Sequence, residues 1–278
     1  IVQGDVRDTK KLRQCLKNRE SVIHLACISN DPSFELNPKL GKEINFDCFK
    51  PLVLASKEEG IKHFIYASSS SVYGVKDTLN VTEEASLEPL TDYSKYKAEC
   101  EKVLLSNTDA NFIGTIIRPA TVCGYSPRQR LDLVVNILTN FAFHKKKIQI
   151  FGGAQLRPNI HINDMVDSYI CVLNAEKDKV SNQIFNVGFE NHSVETLALM
   201  VKKNIKENIE LEFSKSDDNR SYHINSKKIS ERLGFNPSKN IDLAIKDLIK
   251  AFEQKLLINT FNNQEYFNIK KMQKINLV

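Results

Sequence analysis

The sequence predicts an α/β fold in which a doubly wound parallel sheet is followed by a smaller α/β region. Short apolar segments alternate with helical segments over the first two-thirds of the chain, and this alternation is typical of a parallel sheet with helices on both faces. A hydrophobic content of 41% and a charged content of 26% fit a globular protein. The 278 residues are enough for one large domain or two small ones.

The expected elements follow in a regular order up to about residue 125. Strands are predicted at 1–2, 21–25, 63–67 and 112–117, and helices at 9–18, 38–60 and 91–106. Thr9 is a candidate cap for the first helix, and Gly60 ends the second because glycine readily adopts the left-handed conformation that closes a helix. Parallel sheets bind ligands at the carboxyl ends of their strands, so the loops after Leu25, Ala67 and Ile117 are the candidate site.

The alternation loosens in the second half of the chain. Helices are predicted at 130–143, 163–175, 194–206, 225–233 and 241–257, and strands at 148–151, 184–187 and 209–213. The tail from Phe261 to Val278 is rich in asparagine and lysine and has no predicted element. We divide the chain into 1–125, which carries most of the sheet, and 126–278, some segments of which are expected to return to it.

Composition excludes several classes of protein. No run of about 18 apolar residues is present, so no membrane partner is expected, and the first residues do not resemble a signal peptide. The six cysteines form no CxxC pair, which predicts reduced thiols in the cytoplasm and no metal site. The net charge of +5 suits a small anionic substrate. The basic run 144–147 has no interleaved aromatic residues, so no nucleic-acid partner is expected.

The sharpest local signal is the segment YSKYK, residues 93–97, near the start of a predicted helix. Residues four apart share a helix face, so Tyr93 and Lys97 project together. A phenol with a pKa of about 10 is a poor base at neutral pH, but a lysine ammonium beside it favours the phenolate. Upstream, a predicted strand ends in a serine run whose hydroxyls can hydrogen-bond a substrate oxygen while Tyr93 takes its proton. Taken singly, the spacing also fits an exposed helix face, and the serines fit a plain turn.

Taken together, these segments resemble a known family, the extended short-chain dehydrogenases of the NAD-dependent epimerase/dehydratase type that act on nucleotide sugars. Its pattern is a strand with S-S-x-x-V-Y-G, then Y-x-x-x-K, then R-P or R-x-x-N before a glycine. The chain has FIYASSSSVYG, YSKYK and RPATVCG in that order. The resemblance runs from Ile1 to about Phe235. It implies a Rossmann-type sheet, with 1–125 as a partial NAD(P)-binding and catalytic domain and 126–278 as the mainly substrate-binding region.

The resemblance implies catalytic and cofactor residues by their positions. It implies that the catalytic set is Ser69, Tyr93 and Lys97. For the cofactor, NAD with NADP not excluded, it implies contacts from Asp5, Val6, Leu25, Ala26, Cys27, Asn45, Tyr93, Lys97 and Pro119. Asp5 and Val6 match the family's adenine contact, and Pro119 matches a contact at the nicotinamide end.

The resemblance also implies contacts to a nucleotide-sugar substrate, at Ser70, Ser71, Thr121, Gln149, Phe151, Arg157 and Arg220. Gln149 and Phe151 lie in IQIFGG, which is similar to the strand that holds the nucleotide base. Arg157 and Arg220 match positions beside the pyrophosphate, whose oxygens suit the planar fork of arginine. Taken alone, either arginine also fits a surface position.

Three departures from the family pattern affect what the resemblance implies. Cys48 and Phe49 replace a glycine and a threonine, which concerns helix packing. Thr121 replaces an asparagine that contacts the nucleotide sugar in many members, so the substrate can differ from UDP-galactose. The family's first strand, glycine-rich turn and second strand do not precede Asp5, so we expect a chain truncated at its N terminus that binds NAD(P) poorly by itself. The residue that distinguishes NAD from NADP is among those absent.

Ser70 and Ser71 favour an epimerase among the reactions of the family. Its dehydratases carry acidic residues just after the catalytic hydroxyl to protonate the leaving group, and serines cannot do this well at neutral pH. A nucleotide-sugar ketoreductase with the same catalytic set, a dehydratase and, from another class, a non-catalytic cofactor-sensing protein stay open as alternatives. Family members often dimerise through two long helices, so the resemblance implies a homodimer formed by 38–60 and 91–106.

Overall fold

The computed structural model describes residues 1–78, 80–215, 221 and 223–277. The elements of the first half are α1 (Thr9–Leu16), β1 (Ser21–His24), α2 (Asp31–Glu35), α3 (Pro38–Lys42), α4 (Phe49–Glu58), β2 (His63–Ala67), α5 (Asp92–Ser106), β3 (Ile113–Pro119) and β4 (Thr121–Cys123). Those of the second half are α6 (Val134–Lys145), β5 (Lys147–Phe151), β6 (Leu156–His161), α7 (Ile162–Asn174), α8 (Lys177–Val180), β7 (Gln183–Val187), β8 (Glu190–Ser193), α9 (Val194–Asn204), β9 (Glu210–Ser214), α10 (Lys227–Leu233), α11 (Ile241–Glu253) and α12 (Asn268–Lys274). Arg220, a predicted substrate contact, lies outside the described residues.

The main sheet confirms the predicted fold class. Its four strands are parallel and lie in the order β1, β2, β3, β7. Both faces are covered, because successive residues of β2 enter different cores. Phe64 and Tyr66 pack with residues of α4 and α5, whereas Ile65 packs with residues of α7. A strand that is buried on both faces has a nearly continuous apolar sequence, and β2 has such a sequence.

Two smaller sheets lie beyond β3. Strand β6 pairs in parallel with β4 and antiparallel with β8, and β5 pairs in parallel with β9. Strands β4, β6 and β8 were not predicted, because each is short and carries polar residues without a clear alternation. Strand β7 returns to the main sheet, so residues from the second half of the chain contribute to it.

Two predicted elements differ from the structure. The strand at residues 1–2 is wrong: Ile1 and Val2 are exposed and lie outside any strand, because no described strand pairs with their backbone. The helix at 38–60 is divided into α3 and α4 by a π-helical turn, Glu43–Asp47. Turns of this kind are frequent at functional sites. Gly60 follows α4 with a φ of 85°, as expected for a residue that ends a helix.

Side-chain caps set the start of the helices beside the sheet. Asp8 caps α1 by accepting a hydrogen bond from the Lys11 amide, and Thr91 caps α5 by accepting one from the Ser94 amide. Helix α12 lies in the tail for which no element was predicted. Of the helices in the described part of the chain, none is long and apolar enough to cross a membrane.

A buried ion pair joins α5 to β3. Arg118 donates from Nε and Nη2 to the two carboxylate oxygens of Glu101 at 3.0 and 2.6 Å, and both side chains are 3% exposed. Ser68 also donates to Glu101. Nη1 of Arg118 donates to the Tyr73 hydroxyl at 2.7 Å, which donates to Asn186 Oδ1 on β7 at 2.7 Å. One hydrogen-bonded network therefore fixes α5 against the ends of β2, β3 and β7.

Replacing the buried carboxylate should destabilise the protein strongly. In Glu101→Gln the Arg118 guanidinium stays buried without a negative partner, and we expect the free energy of unfolding to fall by about 3–5 kcal/mol in urea titrations. Glu99→Gln is a matched control on the same helix, because its ion pair with Lys102 is exposed and its loss should cost less than about 1 kcal/mol. Equal losses in the two variants would contradict this account.

Candidate active site

Tyr93 and Lys97 lie on one face of the first turns of α5, beside the carboxyl end of β2. Lys97 is 4% exposed, and its Nζ donates to the carbonyl oxygen of Ala67 at 2.6 Å. The same ammonium lies 5.9 Å from the centre of the Tyr93 ring and 5.0 Å from that of Tyr66. The structure therefore brings the predicted tyrosine and lysine together, with a buried cation close to two phenol rings.

The predicted catalytic serine begins a 3₁₀ turn directly after β2. Ser69 Oγ accepts a hydrogen bond from the Ser71 amide at 3.1 Å, and the hydroxyl oxygens of these two residues are 2.8 Å apart. Ser71 Oγ is also 2.8 Å from the hydroxyl oxygen of Ser94, the residue after Tyr93. Of the two predicted substrate contacts here, Ser70 is buried and Ser71 is half-buried. These bonds hold the serine turn against the start of α5.

Gly74 closes the serine turn at a position that only glycine fits. Its φ is 69°, and a Cβ atom there would lie 2.0 Å from the carbonyl oxygen of Glu88. The segment that leads from the turn to α5 thus passes directly over Gly74. This close approach explains the glycine in the VYG part of the sequence pattern.

Asn45, in the π-helical turn, holds the loop after β1. Its Nδ2 donates to the Ile28 carbonyl at 2.9 Å, and its Oδ1 accepts from the Ile28 amide at 2.8 Å. The predicted cofactor contacts Leu25, Ala26 and Cys27 lie in this loop; the first two are exposed and the third is half-buried. Because both polar groups of the Asn45 side chain bind Ile28, the role visible in the structure is to position the loop, and its predicted cofactor contact stays a prediction.

The predicted adenine contacts Asp5 and Val6 lie just before α1. Arg7 donates to the Asp5 carboxylate from Nε at 3.0 Å and from Nη2 at 2.8 Å, and to Glu43 at 2.8 Å. The hydrogen bonds from the Arg7 side chain and amide lower the pKa of Asp5 to about 2. Asp5 is therefore an ionised, exposed acceptor, and its contact with adenine stays a prediction.

Pro119 and Thr121 lie where the main sheet meets the second sheet. Pro119 ends β3 opposite Val187, and Thr121 begins β4 opposite Asn159. Both predicted contacts are half-buried. They follow the strand beside β2, so the chain places them at the same edge of the main sheet as the serine turn.

The predicted contacts to the base and the pyrophosphate are carried by the smaller sheets. Gln149 and Phe151 occupy the exposed face of β5, and Gln149 Nε2 donates to Ser214 Oγ at 3.2 Å. Phe151 is 52% exposed, which leaves its ring available for stacking. On β6, Arg157 is half-buried, and its Nη1 donates to the Leu156 carbonyl at 2.9 Å. These residues therefore belong to a different part of the fold from the catalytic set.

His24 and Tyr66 belong to the site but were not identified from the sequence. The His24 ring is buried at the end of β1 and stacks on Tyr66, with ring centres 6.1 Å apart. Burial and, secondarily, the Lys97 ammonium lower the pKa of His24 to about 3. Phe49, one of the departures from the family pattern, lies 4.6 Å from Tyr66. Aromatic rings therefore pack beside the lysine, with Tyr66 between it and the rings of His24 and Phe49. The alternation of side chains along β1 and β2 was the sequence signal that could have identified them.

In the part of the chain that the structure describes, no three His, Cys, Asp or Glu side chains lie close enough together to hold a metal ion. The six cysteines are free thiols. Tyr93 packs against the apolar cluster of Ile28, Phe34 and Met272, and the Lys97 ammonium lies 5.9 Å from the centre of its ring.

Comparison with protein families identifies the chain. A family model described as the NAD dependent epimerase/dehydratase family matches residues 1–188, which include β1, β2, the serine turn, α5 and β3. The chain belongs to the NAD dependent epimerase/dehydratase family. It is therefore a member of a family of NAD-dependent enzymes, as the resemblance of its sequence segments predicted.

Individual relatives from this family are similar over most of the chain. A UDP-glucose 4-epimerase of Lactobacillus helveticus is 25% identical over 263 residues, which are 86% of this chain and 79% of that protein. An uncharacterized UDP-glucose epimerase of Bacillus subtilis is 32% identical over 185 residues, 65% of this chain and 56% of that one. The structure of MoeE5 in complex with UDP-glucose and NAD has a TM-score of 0.81 and 26% identity, covering 92% of this chain and 86% of the other.

A further structure shows that the fold persists at lower identity. The UDP-glucose 4-epimerase of Thermotoga maritima, solved with UDP-glucose, has a TM-score of 0.82 at 22% identity and covers 92% of this chain and 85% of that one. With MoeE5, it confirms the predicted Rossmann-type α/β fold.

Two buried histidines predict a loss of stability in acid. Burial lowers the pKa of His63 to about 4 and, with Lys97, that of His24 to about 3, against about 6.5 for an exposed histidine. Between about pH 6.5 and 4 the unfolded chain therefore binds more protons, and the free energy of unfolding falls as pH falls, by at most about 1.4 kcal/mol per unit for each histidine. Urea titrations at several pH values should show a shallower dependence for His63→Asn, and an unchanged dependence would contradict the assignment.

Proposed function

We propose that this chain catalyses the epimerisation of a nucleotide sugar, with NAD as the hydride carrier. The observation that carries the proposal is the Lys97 ammonium, buried beside the Tyr93 ring at the end of the strand that leads to Ser69. A positive charge in this position favours the phenolate, which makes Tyr93 a base at a pH where a free phenol is not one. Membership of an epimerase/dehydratase family supports the reaction class.

The groups around Lys97 fit the nicotinamide end of NAD. An ammonium has three N–H donors, and the hydrogen bond described for Lys97 uses one of them. The other two suit the hydroxyls of a ribose. Leu25, Ala26 and Pro119 would line the path of the cofactor, and Asp5 would hold its adenine end. When bound, NAD supplies the acceptor and then the donor of the hydride.

The protein residues would handle the proton and the orientation of the sugar. Ser69 donates a hydrogen bond to the reacting oxygen of the sugar, and Tyr93 takes the proton of that hydroxyl as the carbon loses its hydride. Lys97 stabilises the phenolate throughout. The keto-sugar would then turn its other face toward the cofactor site, and Tyr93 would return the proton to the sugar oxygen to give the epimer.

The serine turn supports epimerisation over loss of water. Elimination needs an acid beside the catalytic hydroxyl to protonate the leaving group. The next two positions are Ser70, which is 2% exposed, and Ser71, whose hydroxyl is bound to neighbouring serines. Neither side chain is an acid. The keto-sugar formed at this site would therefore keep its other hydroxyls and be reduced again.

UDP-hexoses are the substrates that we propose first. The names of the relatives from Lactobacillus helveticus and Bacillus subtilis include UDP-glucose, and MoeE5 was solved with it. In this chain Phe151 offers an exposed ring for the base, and Arg157 offers a guanidinium for the pyrophosphate. Thr121 lies nearer the sheet edge, where its hydroxyl would contact the sugar.

The homodimer through α4 and α5 stays a prediction. The outer surface of α5 carries two exposed ion pairs, Asp92 with Lys95 and Glu99 with Lys102. Leu54 is exposed on α4. An interface formed by these helices would therefore combine apolar contacts with charged groups near its rim.

An epimerisation assay tests the proposed function. The chain preceded by the family's first strand, glycine-rich turn and second strand, which we expect NAD binding to need, should convert one of a panel of UDP-hexoses into its epimer with no net change in nicotinamide absorbance, because the hydride returns to the sugar. A stoichiometric change in absorbance would instead favour the ketoreductase. A product lighter by one water in mass spectrometry would favour the dehydratase.

In the same N-terminally extended protein, Tyr93→Phe should abolish most of the turnover and leave NAD binding intact. The variant keeps the ring near Lys97 but loses the oxygen that takes the proton, so we expect kcat to fall by about 100-fold or more. Tyr96→Phe is the matched control, because the Tyr96 ring stacks on Phe46 with centres 5.2 Å apart and lies outside the proposed catalytic set. Similar kcat values for the two variants would rule out Tyr93 as the base.

A further inference from the structure

The C-terminal tail, residues 261–277, packs against both halves of the chain. At its start, the ring of Phe261 lies edge-on to that of Phe141 on α6, with ring centres 5.0 Å apart. Further along, the Tyr266 carbonyl accepts a hydrogen bond from the Leu131 amide at 2.9 Å. The tail then reaches the first half of the chain, where α12 packs beside α2. Its beginning is therefore anchored on the second half and its helix on the first.

Asn268, the first residue of α12, joins the two halves through both polar groups of its side chain. Its Nδ2 donates to Ser29 Oγ, in the loop after β1, at 2.8 Å. Its Oδ1 accepts from Arg128 Nη2, in the segment after β4, at 3.1 Å, and its backbone amide donates to Asp132 Oδ2 at 2.9 Å. Asn268 therefore fixes the separation between that segment and the loop after β1, which lies at the same edge of the main sheet as the serine turn.

Met272, one turn further along α12, belongs to the apolar cluster that holds Tyr93. It is 7% exposed and forms this cluster with Ile28 and Phe34, and the Tyr93 ring packs against the cluster. A thioether side chain is flexible enough to fill an irregular gap beside an aromatic ring. The surroundings of Tyr93 therefore combine the Lys97 ammonium, from its own helix, with apolar groups from distant parts of the chain.

We propose that Met272 is a positioning residue for Tyr93, and that the tail is a strap that holds it in place. The proposal rests on the function proposed above, in which Tyr93 takes the proton of a sugar hydroxyl. That transfer requires the phenol oxygen to lie about 2.6–3.2 Å from the oxygen that loses the proton. A misplacement of about 1 Å can lower the rate of such a step by about 100-fold, so the packing of the ring affects turnover directly.

The position of Tyr93 at the start of α5 explains why this packing matters. Helix α5 begins at Asp92, so Tyr93 lies in its first turn, and its side chain is half-buried. The attraction of the Lys97 ammonium varies with distance and depends little on the direction in which the ring points. Close apolar contacts depend steeply on shape. Lys97 therefore favours the phenolate, whereas the apolar cluster sets where its oxygen lies.

Contacts within the tail tie α12 to the residues before it. Glu265 forms ion pairs with Lys271 at 2.9 Å and with Lys274 at 3.1 Å, and Lys270 Nζ donates to the Phe261 carbonyl at 2.9 Å. Exposed ion pairs of this kind add little stability singly. They give the tail a defined shape, and its hold on the first half of the chain depends on Asn268 and the apolar contacts of α12.

The kinetics of Met272→Ala in the N-terminally extended protein test the positioning role. Removing the side chain leaves Tyr93 room to move, so kcat for epimer formation, counted per NAD-loaded site, should fall about tenfold with KM little changed. Met272→Leu restores the apolar volume and should restore kcat. Ile275→Ala is the matched control, because Ile275 directly follows α12 and is 50% exposed, and it should keep the wild-type kcat.

Three kinetic outcomes would overturn the role of Met272 while the proposed function stands. They are a normal kcat in Met272→Ala, a rise in KM with kcat unchanged, and an equal fall in kcat in Ile275→Ala, which indicates general destabilisation. A wild-type protein that epimerises no nucleotide sugar would overturn the proposed function and, with it, the role of Met272.

Hydrogen exchange tests the strap independently of turnover. Asn268→Ala removes both side-chain hydrogen bonds, so the backbone amides of residues 25–36 should exchange about tenfold faster than in the wild-type protein. Ile275→Ala should leave their exchange unchanged. Equal exchange in Asn268→Ala and the wild-type protein would overturn the strap, whether or not the protein epimerises a sugar.

Discussion

The arrangement of the candidate site depends on the buried ion pair between Glu101 and Arg118. Glu101 follows Tyr93 and Lys97 on α5 at intervals of four residues, so all three project from one face of the helix. Both carboxylate oxygens of Glu101 bind the guanidinium on β3. Because the contact is bidentate and buried, α5 cannot rotate or slide without separating two buried charges, and the phenol and the ammonium are held in one register.

The same ion pair also fixes the position of the serine turn. Ser68, which precedes the proposed catalytic serine, donates to Glu101, and Tyr73 at the other end of the turn accepts from Arg118. Both ends of the turn are therefore tied to the group that fixes α5. Buried ion pairs often add little net stability, since desolvation opposes the attraction. Here the main effect of the ion pair is to fix the geometry, because the network leaves few alternative packings of the serine turn against α5.

The parts of the fold that could be predicted are those in which local sequence and tertiary structure agree. Strand β2 is apolar or aromatic throughout, with four of its five residues buried, and α5 has a cap and a regular face, so both were predicted within one residue. Strand β6 could not be predicted, because its polar residues are buried by partners distant in sequence. The pairing of Asn45 with Ile28 and the contact between Ser71 and Ser94 arise only when separate segments meet, and no spacing along the chain encodes them. Ile1 and Val2 are apolar but form no strand, because no described strand lies beside them to pair with their backbone.

The tail from residue 261, for which no element was predicted, connects the two halves of the chain. The side-chain Nδ2 of Asn268 donates to Ser29 Oγ, in the loop after β1, at 2.8 Å. The backbone amide of Asn268 donates to the Asp132 carboxylate, in the segment after β4, at 2.9 Å. Met272 packs in the same apolar cluster as Ile28, so α12 covers the loop that Asn45 holds from the other side. The proposed cofactor loop is therefore fixed by a side chain from the π-helical turn and by the C-terminal helix. The tail therefore ties the loop after β1 to the segment after β4 through a single residue, Asn268.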